Sequence, residues 1–512
     1  MPEQALYLDP LPDPLIALPD NFRSRFWQKD PSLWPAGAAA DVAGMLGWVD
    51  VLGKVGAHFD DIDAFVQGVI ADGFTKVVLC GMGGSSLAPY VLREVFGQLP
   101  GGLPLTVLDS THPGSIQAIL DSGIENTLFI VASKSGSTAE PTTFDKFFFD
   151  RVGNPNAFVA ITDPGSPFHR DAEARSFRKI FLNYADIGGR FSALSLFGLV
   201  PAALLGVDIR KFLQAAQDYA AALQIDESDA FDLGQALGSY AKTGRNKLTI
   251  LTDDRLSSFG LWLEQLVAES TGKFGTGILP IAGETVGAPE VYGEDRFFAA
   301  YNVLPVANPS FHVHFEDPYQ LAVEFLRWEV ATAAAGAILE INPFDQPNVQ
   351  ESKDVTKRIL AAVEAEGELP ETDKIFPSSN EKLSEFLGDV APGDYICIQA
   401  YLHETPELDV QLKTLQANLR DTYKVPVTMG YGPRFLHSTG QFHKGGPNVG
   451  HFIQLLDDPQ DTISIPGQRA DWTRFVLAQA RGDYEALAEK GRRIVALNLG
   501  SEPTQTLQSL IS

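Results

Sequence analysis

The stretch that decides the fold is Thr75 to Gly97, TKVVLCGMGGSSLAPYVLREVFG. Its first half is a short apolar run rich in β-branched residues, TKVVLC, which reads as a buried strand. A turn follows at Gly81-Met82-Gly83-Gly84-Ser85-Ser86, and LAPYVLREVFG then has helical periodicity. The same grammar recurs downstream in LPLTVLDS, TLFIVASKSGS and AFVAITDP, separated by helical stretches such as PTTFDKFFFDRV. Strands alternating with helices imply a parallel sheet covered on both faces. In such sheets ligands bind beyond the carboxyl ends of the strands, where these Gly and Ser clusters fall.

Working outward, residues 1–72 read as a proline-rich lead followed by packing helices (AADVAGMLGWVDVLGKV, DDIDAFVQGVIADG), and 73–235 as the first doubly wound unit. A second unit, 236–370, carries NKLTILTDD, the helix SFGLWLEQLVAEST, strand-like GILPIAG, NVLPVA and FHVHFED, and a long helix from Pro318. A C-terminal α/β extension, 385–512, holds DYICIQAYL, VPVTMGYG, VGHFIQLLD and a closing helix around Trp472 to Glu489. Between them the charged, turn-rich EAEGELPETDKIFPSSNEK reads as a linker. The uncharged Phe191 to Val207 reads as a buried helix pair, because its Ser, Gly and Pro residues suit no membrane span.

The chain has 512 residues, 45% of them hydrophobic, with 39 Lys+Arg against 65 Asp+Glu and a formal net charge of −26. That field repels phosphate polymers and anionic membranes, so nucleic acid and membrane are excluded as partners. A small phosphorylated ligand would need a local pocket of backbone N–H groups and a few cations. The two cysteines, Cys80 and Cys397, lie in apolar runs and read as buried thiols of a cytoplasmic protein. No basic and apolar leader precedes them.

Three readings fit the Gly81–Ser86 turn: a nicotinamide fingerprint with Asp109 as the ribose acid, a sugar-phosphate site, or a tight turn. Ser133-Lys134-Ser135-Gly136-Ser137-Thr138 favours the second, since four hydroxyls around a glycine can cradle a phosphate monoester. The competing reading is an N-capping cluster completed by Glu140. Gly188-Gly189-Arg190-Phe191-Ser192, then Glu264-Gln265 and Glu269-Ser270-Thr271-Gly272-Lys273 with Gln265 and Glu269 four apart on one helix, and Phe344-Asp345-Gln346 with Lys353 seven residues on complete the set. His312 and His314 alternate on a strand without any Cys/His framework, and no metal site is expected. The aromatics of FDKFFF, Phe144 to Phe149, read as helix core.

In order and spacing these segments resemble the glucose-6-phosphate isomerase family of the sugar isomerase (SIS) superfamily, over about residues 76–355. The C-terminal GYGPRFLHSTGQFHKGG, Gly430 to Gly446, resembles the isomerase half of bacterial bifunctional transaldolase and glucose-6-phosphate isomerase proteins, with no room for a transaldolase barrel. The resemblance implies two SIS-type doubly wound parallel-sheet domains in three αβα layers plus the extension. It implies interconversion of glucose 6-phosphate and fructose 6-phosphate, with a related aldose/ketose phosphate isomerase or a non-catalytic sugar-phosphate sensor as alternatives, and assembly as a homodimer.

By the same resemblance Ser133, Ser135 and Thr138 bind the phosphate, with Lys134 and Ser137 near it. Gly84, Ser85 and Gly189 line the substrate, and Glu140 supports. Arg190 stabilises an enediolate, and Glu269 shuttles the proton between C2 and C1. Gln265, Gln346 and Lys353 bind the sugar, Lys353 also assisting ring opening. Such proton transfer requires no cofactor when a carboxylate and a fixed cation share the work. The family's ring-opening histidine is missing from Tyr292 to Phe297, and Asn348 and Gln350 replace family Gly and Glu. His437, or else His443, is expected to supply the missing imidazole.

Overall fold

The structure is a computed structural model that describes residues 7–9, 12–225, 228–304, 310–459 and 462–511. Among the described residues fifteen strands form three sheets. β1 (Tyr7–Asp9) belongs to the second. The first holds β2 (Lys76–Cys80), β3 (Leu105–Leu108), β4 (Thr127–Ala132), β5 (Phe158–Thr162) and β6 (Lys179–Leu182), in the order β3-β2-β4-β5-β6. Every pair in it is parallel. β4 and β5 are buried at every residue, which explains their unbroken apolar composition.

The second sheet holds β7 (Lys247–Thr252), β8 (Leu279–Ile281), β9 (Arg296–Tyr301) and β10 (Ser310–Val313), ordered β8-β7-β9-β10 with β1 at the far edge. The third holds β11 (Ile375–Pro377), β12 (Tyr395–Tyr401), β13 (Val427–Tyr431), β14 (Gly450–Leu456) and β15 (Arg493–Asn498), ordered β13-β12-β14-β15-β11. Numbered within its own unit, each sheet therefore runs 2-1-3-4, and only the fifth position differs. The expected repetition of architecture between the first two units extends to the third.

Several expectations need correction. The sheets are not wholly parallel: β1 pairs antiparallel with β10, Leu8 opposite Phe311. The linker expected at Glu364 to Lys382 begins as the last turn of the Val349–Glu366 helix and contains β11, parallel to β15. NVLPVA is not a strand over its described residues Asn302 to Leu304, because β9 ends at Tyr301; residues 305–307 lie outside the described residues. Phe191 to Val207 holds one helix, Leu196–Leu204, with Pro201 inside it. Ala39 to Val55 folds as short turns and helical pieces in place of one helix.

One apolar core runs from the N-terminal segment (Phe26, Trp34, Trp48) through the first two units, to Leu79, Trp262 and Trp328. Complete burial of side chains of this size stabilises by roughly 1.5–3 kcal/mol each. The third unit docks on the first through Trp472, whose ring stacks on Phe144 at 5.4 Å and meets Phe147 edge-on. The aromatics of FDKFFF are thus core, as expected. Polar contacts complete the junctions: Arg434 reaches both carboxylate oxygens of Asp109 at 2.8 Å, and Arg420 joins Arg296 on the buried Glu284. Cys80 and Cys397 are free and buried. Among the described residues no helix is long and apolar enough to cross a membrane.

Candidate active site

The two loops at the switch point of the first sheet follow β2 and β4. After β2 the chain makes a 3-10 turn, Gly83–Ser85, with Gly83 at φ +55° and Ser85 buried. Gly84 packs directly on the backbone of Gly189, in the 3-10 turn Gly189–Phe191. That second turn is held by the Phe191 ring, stacked on Trp48 at 4.8 Å, and by Ser192 Oγ, which donates to the carbonyl oxygens of Gly189 and Gly84.

Arg190 is thereby fixed and 3% exposed. Its Nε donates to Ser270 Oγ at 2.7 Å, Nη1 to Gln346 Oε1 at 3.0 Å, and Nη2 to the carbonyls of Pro343 and Asp345. Nη1 also lies 3.7 Å from Glu269 Oε1. Lys273, fully buried, binds the carbonyls of Asn342 and Asp345 and the Asp345 carboxylate. Burial, then the neighbouring Arg190, pushes its ammonium down to about 7. The ESTGK and FDQ segments are therefore clamped together around one guanidinium.

Glu269 ends a π-helical turn, Gln265–Glu269, that continues the helix Phe259–Glu264. The wider π turn sets residues four apart side by side. Gln265 Nε2 donates to Glu269 Oε2 at 3.2 Å and to the His437 carbonyl at 2.8 Å. The carboxylate is 8% exposed, between an amide and a guanidinium. It can take and return a proton beside a fixed cation.

The serine loop after β4 turns at Gly136, φ +65°, where a Cβ would strike Phe168 at 2.6 Å. Ser135 Oγ and Ser137 Oγ are 3.0 Å apart, and Ser133 Oγ is buried without a hydrogen-bond partner among the described residues. The capping alternative fails, because Thr138 makes no side-chain cap and the buried Glu140 turns elsewhere. Ser135, Ser137, Thr138, Glu140, Lys353 and His437 border a cavity of about 180 Å³. Lys353 enters it half-buried from the Val349–Glu366 helix, without a hydrogen-bond partner among the described residues. Lys134 is different: its ammonium binds the Asp163 carboxylate and the Ala185 carbonyl.

His437 comes from the third unit, in the 3-10 turn Arg434–His437 after β13. Its Nε2 lies 3.0 Å from Glu140 Oε1. Burial would raise the Glu140 carboxyl; the His437 imidazole, with Lys353 beyond it, outweighs that and holds it below the usual carboxylate range. The other histidine considered, His443, is in the core of the third unit, 3.6 Å from Cys397 Sγ and against Phe452. Burial pushes its imidazole well down. The histidine-free segment Tyr292 to Phe297 packs on Glu284 and Arg420 through Arg296 and Tyr292. Asn348 is gripped by Gln441 of the third unit, which receives its backbone N–H and donates to its Oδ1.

Other expectations resolve plainly. Asp109, proposed as a ribose acid, is taken by Arg434. His312 contacts the Val303 carbonyl and His314 contacts Glu316. Sequence reasoning missed Gln479, which donates to Glu140 Oε1 at 2.7 Å and carries no spacing signal. Glu264, singled out with Gln265 in the sequence, is a buried carboxyl that burial pushes up to about 8.

Two doubly wound α/β sheets thus bring together a glycine loop, a hydroxyl loop and a buried Glu–Arg pair. Residues 45–294, just under half of the chain, match the model of the family Phosphoglucose isomerase. The glucose-6-phosphate isomerase of Parasynechococcus marenigrum is 31% identical over 274 residues, 50% of this chain and 49% of that one. That of Prochlorococcus marinus subsp. pastoris is 27% identical over 404 residues, 65% of this chain and 74% of that one. The chain thus spans about half the length of several of the curated relatives it matches. Among solved structures, a hypothetical protein from Thermus thermophilus aligns with TM-score 0.57 and 24% identity, covering 70% of this chain and 100% of that one. A glucose-6-phosphate isomerase from Chlamydia trachomatis aligns with TM-score 0.51 and 21% identity, covering 71% and 80%.

Proposed function

We propose that the protein interconverts glucose 6-phosphate and fructose 6-phosphate in the cytoplasm. The observation that carries this reading is the buried Glu269 carboxylate, flanked by the Gln265 amide and 3.7 Å from the Arg190 guanidinium. Binding of a sugar phosphate alone would not require a buried base beside a buried cation; proton abstraction next to a carbonyl does. This favours an enzyme over a sensor.

In this reading Ser135, Ser137 and Thr138, with the unpartnered Ser133 hydroxyl, take the phosphate, while Gly84, Ser85 and Gly189 form the wall behind the sugar. Glu269 moves the proton between C2 and C1. Arg190 stabilises the negative oxygen of the enediolate, with Gln265 and Gln346 fixing its neighbours. His437, beside Glu140, and Lys353 serve ring opening at the cavity's other end. The alternating-anomer demand of such a substrate explains why an imidazole is useful there, since it can give and take a proton near neutral pH.

The test is a coupled assay of fructose 6-phosphate conversion with the parent and Glu269→Gln. Loss of about a thousandfold in kcat with substrate binding retained is the expected result. An inactive parent that still binds sugar phosphate would move the reading to a sensor or another sugar phosphate.

A further inference from the structure

We propose that Gln479 is a positioning residue for the site, set by the third unit to hold the Glu140 carboxylate at the same oxygen that meets His437. Gln479 is 4% exposed on the helix Trp472–Glu489. Its Nε2 donates to Glu140 Oε1 at 2.7 Å, and its Oε1 accepts from Thr111 Oγ1 at 2.5 Å. The threonine hydroxyl thus fixes which end of the amide faces the carboxylate, since its proton must go to the amide oxygen. The result is a chain of four groups, Thr111 to Gln479 to Glu140 to His437, alternating between the first unit and the third.

The helix that brings Gln479 in has a defined register. Trp472, two turns earlier, stacks on Phe144, four residues beyond Glu140 on the helix Ala139–Val152. Apolar docking of the third unit and the polar bridge to the site therefore form together.

A neutral donor on Oε1 stabilises the ionised carboxylate and takes up part of its charge. The imidazole on the same oxygen then faces a weaker acceptor. The other charged and titratable groups around the pair are Lys353 and Lys357 from the Val349–Glu366 helix, Tyr401 from β12, and Lys444, itself bound to Asp483 at 2.6 Å. Among these, Gln479 is the polar contact on Glu140 that carries no charge of its own.

The kinetic part of this inference rests on the isomerase reading; the structural part does not. The test uses the full chain with 15N-labelled histidine, comparing the parent with Gln479→Leu, Gln479→Glu and Thr111→Val, and with His437→Gln to assign the signal. The titration of the His437–Glu140 pair, followed at the ring nitrogens, should move up by about half a pH unit in Gln479→Leu. It should move further in Gln479→Glu, where a second carboxylate joins the first, and less in Thr111→Val. In the isomerase assay the acid limb of the pH profile should move with it, kcat falling while KM stays within about twofold. A pair titration unchanged in any correctly folded Gln479 variant overturns the proposal. Shifted titrations in a protein without isomerase activity would uphold the positioning role and reject the reaction.

Discussion

A Cβ on Gly84 would lie 2.0 Å from the carbonyl oxygen of Gly189, whereas a Cβ on Gly189 would meet nothing nearer than Gly84 Cα at 4.0 Å. The approach of the two loops is thus asymmetric, although both residues are glycines in facing 3-10 turns. Gly84→Ala must push the Arg190 turn away, and displacements of this size cost about a hundredfold in kcat/KM. Gly189→Ala should stay within about threefold of the parent. Steady-state kinetics of the two variants, with circular dichroism to check folding, decides the point; equal losses would mean that the contact does not set the site.

The two lysines assigned to the site, Lys134 near the phosphate and Lys353 at the sugar, are not equivalent. Lys134 is committed to Asp163, a carboxyl that burial already pushes up, while Lys353 has no such tie. Lys134→Met should lower Tm, because it strips the cation from a half-buried carboxylate, yet leave KM within about threefold. Lys353→Met should raise KM about tenfold or more with Tm little changed. The reverse pattern would make Lys134, and not Lys353, the lysine that meets the substrate.

Glu264 supplies a pH dependence whose sign follows from its raised pKa. In the folded chain its carboxyl titrates at about 8 against 4.5 for the ordinary group, because it is buried. Between those values the native state holds a proton that the unfolded chain has released, so this group's contribution to stability falls as pH rises from about 4.5 to 8 and is level beyond. Glu264→Gln removes the slope. Thermal melts of the variant should gain on the parent steadily across that window, and parallel curves would contradict the assignment.

Much of this was legible from residues alone, for identifiable reasons. β4 and β5 are buried on both faces, so their apolar runs could be read without neighbours, and the Gly and Ser clusters mark where their chain must turn. Edge strands give no such signal. β11 is half-buried at Ile375 and exposed at Phe376 and Pro377, so its composition is that of a linker. β1 is three residues within a proline-rich lead. Lys134 misled because a lysine inside a hydroxyl loop looks free until its distant carboxylate is seen. Gln479 was invisible for a similar reason: 339 residues separate it from Glu140, and an amide in an amphipathic helix has no pattern of its own.

The fifth place in each sheet has a consequence for how the chain avoids associating with itself. In the first sheet the next strand along the chain, β6, takes that place; in the second and third it is taken by β1 and β11, which precede the four strands they join. An uncovered β10 or β15 would offer a row of free N–H and C=O groups to any passing strand. The cover on β10 must return across some 300 residues of chain, Leu8 to Phe311, so it is among the most non-local pairings in the molecule and is slow to form on entropic grounds. Until it forms, β10 is an open edge of the second sheet, and the three-residue strand that covers it leaves only a short edge in its place.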